Sequence, residues 1–205
     1  MYSGIIQTLA QIVDLHSVDR ALDLTVQVNA DYLDQVKIGA SIALDGICMT
    51  VVKKTANTVS FNAIEATIAA SNIGDRSVND LLNFERSLRL GDENGGHPIS
   101  GHVYGVGHIT QLTPVGRGAH IVIAVPSHLI GFIFPKGFIA IDGASLTVGN
   151  VDEKKSTIEL NLIPETLNKT AFSSRGENAR VNIEVDYQTM VLVQSIERAL
   201  RRVSA

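Results

Sequence analysis

Along most of the chain, apolar residues alternate with polar ones or come in short runs, and Gly, Asn and Asp interrupt them. This pattern is typical of short β-strands joined by tight turns. Asp45-Gly46 and Asp142-Gly143 are turn dipeptides between two such runs. We also predict one short helical segment in each half of the chain, at residues 30–36 and at residues 126–132. In the second segment, Pro126 suits a first helical turn.

The pattern occurs twice in the chain. Ser3-Gly4 opens the first copy, and Ser100-Gly101 opens the second 97 positions later. The same offset places residues 42–51 over residues 139–148. Further matches at an offset of 99 are Leu82-Asn83-Phe84-Glu85 with Val181-Asn182-Ile183-Glu184, and Ala66-Thr67 with Glu165-Thr166. An internal duplication explains these matches, since they keep their order along the chain.

About six strands and one helix in roughly 90 residues favour a small closed barrel, because closure removes exposed strand edges. We therefore predict a mainly β protein with two similar six-stranded antiparallel β-barrels and a C-terminal α-helix. The predicted domains are residues 1–96, residues 97–187 and a helix at 188–205.

The predicted C-terminal helix has a narrow apolar seam. Leu192, Ile196, Ala199 and Val203 recur at spacings of four, three and four, which is a heptad pattern. Such a helix often packs back on its own domain. The polar residues that cover the rest of its surface favour self-association.

The composition narrows the possible partners. A net charge of −4 and the lack of a Lys/Arg cluster outside the C-terminal tail make nucleic acid an unexpected partner. Neither a signal peptide nor an apolar run long enough to cross a membrane is present in the sequence. We expect a cytoplasmic protein without membrane partners.

The duplicated turn presents a small polar side chain in each copy. Cys48 and Ser145 occupy the same position, and Thr50 and Thr147 follow two residues later. Thiol and hydroxyl groups beside free strand backbone can bind the edge of a flat heteroaromatic ligand. Equally, Cys48 could be a small buried residue and the threonines ordinary strand residues. A single cysteine excludes an intramolecular disulfide and a cysteine-rich metal site.

Residues 91–102 join the two copies and are rich in Gly and polar residues. An inter-domain linker explains the glycines but not two histidines five residues apart, His97 and His102. No third ligand stands at a metal-binding spacing, so we predict no metal site. We interpret the two histidines as proton carriers or ligand contacts.

Several motifs together resemble the riboflavin synthase family, of the type built from two lumazine-binding barrels. The resemblance covers essentially the whole chain. It rests on the Ser-Gly-Ile-Ile-Gln start and on residues 45–51, 88–102, 136–148, 162–167 and 181–186.

The resemblance implies a transferase of riboflavin biosynthesis that needs no cofactor. Two molecules of 6,7-dimethyl-8-ribityllumazine would react by transfer of a four-carbon unit, giving riboflavin and 5-amino-6-(D-ribitylamino)uracil. It also implies a homotrimer held by the C-terminal helices, in which the N-terminal barrel of one subunit faces the C-terminal barrel of a neighbour. Lumazine synthase is a candidate partner.

The resemblance also assigns site residues. The predicted catalytic residues are Tyr2, Cys48, His102, Ser145 and Asp186. The predicted substrate-binding residues are Gly4, Ser41, Thr50, Ala66, Thr67, His97, Gly101, Lys136, Asp142, Thr147, Ile163 and Thr166. The base and the nucleophile stay open between Cys48, Ser145, water and a substrate hydroxyl. Two positions depart from the family: Tyr2 stands where Phe is usual, and Ala66 where Glu is usual.

A non-catalytic protein of the same fold, such as the fluorescent antenna proteins of luminous bacteria, is the alternative function. The retained polar residues and the C-terminal helix favour the enzyme. A flavin-dependent reductase would need an attached nicotinamide-binding α/β domain, which we do not expect here.

Overall fold

The computed structural model describes residues 1–203 and shows two closed barrels followed by a long helix. The first barrel consists of β1 (Thr8–Val18), β2 (Ala21–Gln27), β3 (Ser41–Leu44), β4 (Ile47–Lys54), β5 (Thr58–Ala63) and β6 (Leu81–Arg86). The second consists of β7 (Gly105–Val115), β8 (Gly118–Ala124), β9 (Phe138–Ile141), β10 (Ala144–Asp152), β11 (Thr157–Leu162) and β12 (Arg180–Val185). The α-helices are α1 (Glu65–Ala70), α2 (Pro164–Lys169) and α3 (Tyr187–Val203).

Both barrels have the same antiparallel strand order, which confirms the predicted duplication. The order is β1-β2-β5-β4-β3-β6 in the first barrel and β7-β8-β11-β10-β9-β12 in the second. Asp45 and Gly46 form the β3–β4 turn with φ of 45° and 77°, and Asp142 and Gly143 form the β9–β10 turn with φ of 43° and 78°. Positive φ at both central residues is the conformation of a tight hairpin turn, so the two predicted turns are confirmed.

The short helices differ from those predicted. At residues 30–36 the structure has only a 3₁₀ turn, Ala30–Leu33, and at residues 126–132 it has only Ile130–Phe132, with Pro126 outside it. The helices α1 and α2 were not predicted, because six residues are too few to show a helical period. Proline at the start of α2 was the signal that could have revealed it.

The predicted C-terminal helix is confirmed as α3, whose seam residues Leu192, Ile196 and Val203 are 62%, 51% and 87% exposed. Met190, near its start, packs against the core of the second barrel. The end of the prediction, Ser204 and Ala205, lies outside the described residues. Across residues 1–203, the structure contains no helix with the length and apolar character needed to span a membrane.

Each barrel has its own apolar core, but a residue from outside each barrel contributes to it. Residues 1–7 precede the first barrel and residues 97–104 precede the second; we call them the first and second leading segments. Ile6 of the first leading segment belongs to the core of the second barrel. Val103 of the second leading segment packs against the core of the first. The two leading segments are therefore exchanged between the barrels.

The exchanged segments meet in one antiparallel bridge. The backbone N–H of Tyr2 donates to the carbonyl of Ile99 (2.7 Å), and the N–H of Ile99 donates to the carbonyl of Tyr2 (3.0 Å). These residues are also equivalent in the repeat. The bridge thus lies on the approximate two-fold axis that relates the barrels.

A buried polar cluster joins the barrels at the two Asp-Gly turns. Both Asp45 and Asp142 are almost fully buried. Oδ2 of Asp45 accepts hydrogen bonds from Nη2 of Arg76 and from Nη2 of Arg175, each at 2.8 Å. Oδ1 of Asp142 accepts from the backbone N–H of Asn182 (2.7 Å). Two carboxyl groups and two guanidinium groups thus lie together inside the interface.

We expect substitution of Asp142 by asparagine to remove a pH dependence of folding stability. Burial, followed by the nearby Asp45 carboxylate, raises the pKa of Asp142 to about 7. A carboxyl group whose pKa is raised on folding stabilises the protein most at low pH, and this contribution is lost as the pH rises through the folded-state pKa. Between pH 6 and pH 8 the wild type should therefore lose about 1 kcal/mol that the variant does not lose.

Urea unfolding of both proteins at the two pH values measures this difference. Asp19→Asn, at an exposed turn, is the control and should follow the wild type. Parallel pH profiles for wild type and Asp142→Asn would contradict the assignment.

Candidate active site

Two pockets lie at equivalent places on the two barrels. The first pocket, of about 250 Å³, is formed by β4, α1 and the second leading segment. The second pocket, of about 380 Å³, is formed by β10, α2 and the first leading segment. Residues of the first pocket include Cys48, Ala66, Thr67, Ser71, Gly101, His102 and Val103. Residues of the second include Gly4, Ile5, Ile6, Ser145, Ile163, Glu165, Thr166 and Lys169.

A glycine brings each leading segment against the polar residue of a pocket. The carbonyl of Gly101 accepts a hydrogen bond from the N–H of Cys48, and the carbonyl of Gly4 accepts one from the N–H of Ser145, both at 2.9 Å. Both glycines have positive φ, and an added Cβ would lie 2.7 Å from Cβ of Cys48 or 2.6 Å from Cβ of Ser145. Only glycine permits this contact.

In the first pocket, the thiol of Cys48 has a buried hydroxyl beside it. The Tyr2 hydroxyl donates a hydrogen bond to Sγ of Cys48 at 3.1 Å. Burial is the largest cause that raises the pKa of Tyr2 above its ordinary value, so its hydroxyl remains a donor. Thr50, two residues further along β4, is exposed on the same outer face of the strand. His102 completes this pocket from the second leading segment.

In the second pocket, Ser145 is paired with a histidine. Oγ of Ser145 lies 2.7 Å from Nδ1 of His97. The imidazole stacks on Phe138, with the ring centres 5.1 Å apart and the planes 11° from parallel. A hydroxyl within hydrogen-bond distance of a fixed imidazole can donate or accept a proton during a reaction.

Burial also keeps His97 in the form that accepts protons. The residue is 3% exposed. Desolvation lowers the pKa of its imidazole below the ordinary value of 6.5, and the negative charge of Asp186 opposes this only in part. A neutral imidazole at physiological pH is the form that a general base requires. His97 as a substrate-binding residue stays a prediction, and in the structure its imidazole contacts Ser145.

The other predicted site residues fall into three groups. Gly4, Ala66, Thr67, Gly101, Ile163 and Thr166 line one of the two pockets. Thr147 and Lys136 are exposed on the second barrel near Phe138. Ser41 lies opposite Thr50 in the pairing of β3 with β4 and borders a separate cavity of about 210 Å³. Asp186 and Asp142 line neither pocket. Asp186 accepts a hydrogen bond from the backbone N–H of Thr189 at the start of α3 (2.9 Å). Asp142 lies in the buried cluster between the barrels.

Two buried glutamates were missed by sequence reasoning. Glu85 on β6 accepts hydrogen bonds from Ser3 and Gly4, and Glu184 on β12 accepts from Ser100 and Gly101. The signal was present in the repeat, because both the Ser-Gly pairs and the Asn-x-Glu motifs occur in each copy. Sequence alone did not link one motif to the other.

Comparison with known proteins identifies the family. The sequence model of the lumazine binding domain family matches this chain twice, at residues 3–87 and 100–186. Riboflavin synthase of Escherichia coli K12 is 38% identical over 98% of this chain and 93% of its own length. Riboflavin synthase of Chlamydia trachomatis is 39% identical over 97% of this chain and 96% of its own length. The chain belongs to the riboflavin synthase family.

The architecture of this riboflavin synthase family member also matches solved structures. A crystal structure of LumP complexed with riboflavin superposes with a TM-score of 0.84 and 24% identity, over 91% of this chain and all of LumP. At this identity the likeness concerns the fold. It agrees with the two barrels seen in this family member.

Proposed function

We propose that this protein is a riboflavin synthase, which converts two molecules of 6,7-dimethyl-8-ribityllumazine into riboflavin and 5-amino-6-(D-ribitylamino)uracil. The observation that supports this most strongly is the presence of two equivalent pockets, each with its own polar pair. Cys48 of the first pocket accepts a hydrogen bond from the buried Tyr2, and Ser145 of the second pairs with the buried His97; Tyr2 and His97 themselves line neither pocket. The riboflavin synthases named above align with nearly the whole chain, including the residues that form both pockets.

Each pocket would hold one lumazine. Removal of a proton from the C7 methyl group of one lumazine gives a carbanion that the ring system delocalises, and this carbon attacks the other lumazine. The Ser145–His97 pair can accept that proton, while the protein's further contribution is alignment of two rings. The nucleophile that adds to the second ring stays open between Cys48, Ser145, water and a substrate hydroxyl.

We also propose that the enzyme is a cytoplasmic homotrimer in which the first pocket of one subunit faces the second pocket of a neighbour. Exposure of the α3 seam supports self-association, since Leu192, Ile196 and Val203 are 62%, 51% and 87% exposed in the single chain. Two lumazines held on facing subunits would also explain why both copies of the repeat retain a pocket. Association with lumazine synthase remains a prediction.

Incubation with the lumazine alone tests the function. In buffer with a chelator, we expect riboflavin and the uracil product in equal amounts, because the two products together contain all the atoms of two substrate molecules. Heat-denatured protein is the control, and chromatography measures both products. Lumazine that is bound for hours but unchanged would indicate the antenna-type function instead.

A further inference from the structure

The first of the two missed glutamates fixes the lining of a pocket on the other barrel. Glu85 lies on β6 of the first barrel and is 2% exposed. Its carboxylate accepts from the N–H and the hydroxyl of Ser3 (both 2.7 Å) and from the N–H of Gly4 (3.0 Å). Gly4 in turn accepts from Ser145 and lines the second pocket. A carboxylate of the first barrel thus holds a wall of the second barrel's pocket.

The second glutamate does the same in the opposite direction. Glu184 lies on β12 of the second barrel and is 6% exposed. It accepts from the N–H (2.6 Å) and the hydroxyl (2.8 Å) of Ser100 and from the N–H of Gly101 (2.9 Å). Gly101 accepts from Cys48 and lines the first pocket together with His102. In both halves of the molecule, the carboxylate therefore lies on one barrel and the pocket that it supports lies on the other.

These contacts help to hold the leading segments in place, together with the backbone bonds to Ser145 and Cys48. Burial raises the pKa of each glutamate, whereas the hydrogen bonds from the leading segment lower it. Hydrogen bonds to a buried charged group are about twice as strong as neutral ones. A glutamine at position 85 would direct an N–H₂ group or a weaker carbonyl at the N–H of Gly4, and either replacement weakens this contact with the segment.

We propose that Glu85 and Glu184 are crossed positioning residues: each sets the ligand affinity of the pocket on the opposite barrel. Neither glutamate lines a pocket itself, so each acts through the leading segment that it holds. The inference rests on the proposed function only in treating both pockets as ligand sites.

Measuring the occupancy of each pocket separately tests the proposal in the full-length protein. Cys48 is the only cysteine and lines the first pocket, so the rate of its labelling by a thiol reagent reports bound riboflavin there. Thr166→Cys in a Cys48→Ser background places the same reporter in the second pocket. In each background, the labelling rate is measured at increasing riboflavin concentrations, which gives the affinity of that pocket.

Glu184→Gln should weaken riboflavin about tenfold in the first pocket and by less than about twofold in the second. Glu85→Gln should give the reverse pattern, so each variant is the control for the other. If a glutamine variant does not fold, Ser100→Ala and Ser3→Ala each remove one donor and should show the same pattern at about threefold.

A glutamate that served only its own barrel would weaken the pocket on that barrel, or both pockets equally. Either result, or no change in affinity, overturns the proposal. Failure of the proposed function alone would appear as bound lumazine without product and would leave the two affinities unaffected. Failure of the premise that both pockets bind ligand looks different, because riboflavin would then protect neither thiol in proteins with both glutamates intact. That result overturns the crossed assignment as well.

Discussion

Replacing Ser145 by alanine is expected to lower kcat about hundredfold, while the dissociation constant of the lumazine changes by no more than about threefold. The hydroxyl lies 2.7 Å from Nδ1 of His97, and stacking on Phe138 fixes the imidazole. Proton transfer by a group in such a position acts mainly in the transition state, so its loss affects kcat more than binding. Steady-state kinetics together with direct titration of the lumazine separates the two effects.

A double-mutant cycle shows whether the two residues act as one unit. His97→Gln alone should lower kcat by a similar factor, and the double variant Ser145→Ala/His97→Gln should be no slower than the slower single variant. Losses that multiply in the double variant would mean that the residues act independently. A loss confined to KM would make Ser145 a binding residue.

The pH profile provides a second readout of the same pair. Because burial lowers the pKa of His97 below 6.5, the neutral base persists at pH values where an exposed histidine is protonated. We therefore expect kcat to decline on the acid side only below pH 6.5, and we expect His97→Gln to remove this decline.

The fold could be predicted from the sequence because the same pattern of strands and turns occurs in both copies of the repeat. Alternating apolar positions give strands, and the equivalent Asp45-Gly46 and Asp142-Gly143 turns give the register of two hairpins. What the pattern could not give is helices of one or two turns, such as α1 and α2. Their position is set by packing at the end of a barrel and not by a period within the helix.

Several of the predicted site residues line the two pockets, but the arrangement that brings them together could not be predicted. Cys48 and Ser145 stand out from the repeat, and each lies in a pocket. That Gly4 reaches the second barrel and Gly101 the first depends on long-range contacts, which no local pattern encodes. Asp142 shows the same limit, since an Asp-Gly turn that is repeated in the chain can belong to an interface between barrels as well as to a ligand site.

Disrupting the α3 seam is expected to separate the subunits and abolish most turnover. In Leu192→Glu/Ile196→Glu, two charges replace apolar side chains that are 62% and 51% exposed in the single chain. If these residues meet across subunits, burial of unpaired carboxylates prevents association. Light scattering should then give the monomer mass of 22.0 kDa. Turnover should fall more than about hundredfold, because the two lumazines are no longer held together.

The barrels themselves should remain folded, because Met190 still packs against the second barrel and no seam residue belongs to either core. Each barrel should then still bind riboflavin, and the residual rate per subunit should rise with protein concentration, since subunits must meet to bring two ligands together. Arg198→Glu/Arg202→Glu places glutamates at the same spacing on the polar face of α3 and should leave the oligomer intact. An unchanged mass with full activity in the seam variant would remove α3 from subunit assembly, and the shared site would then need another interface.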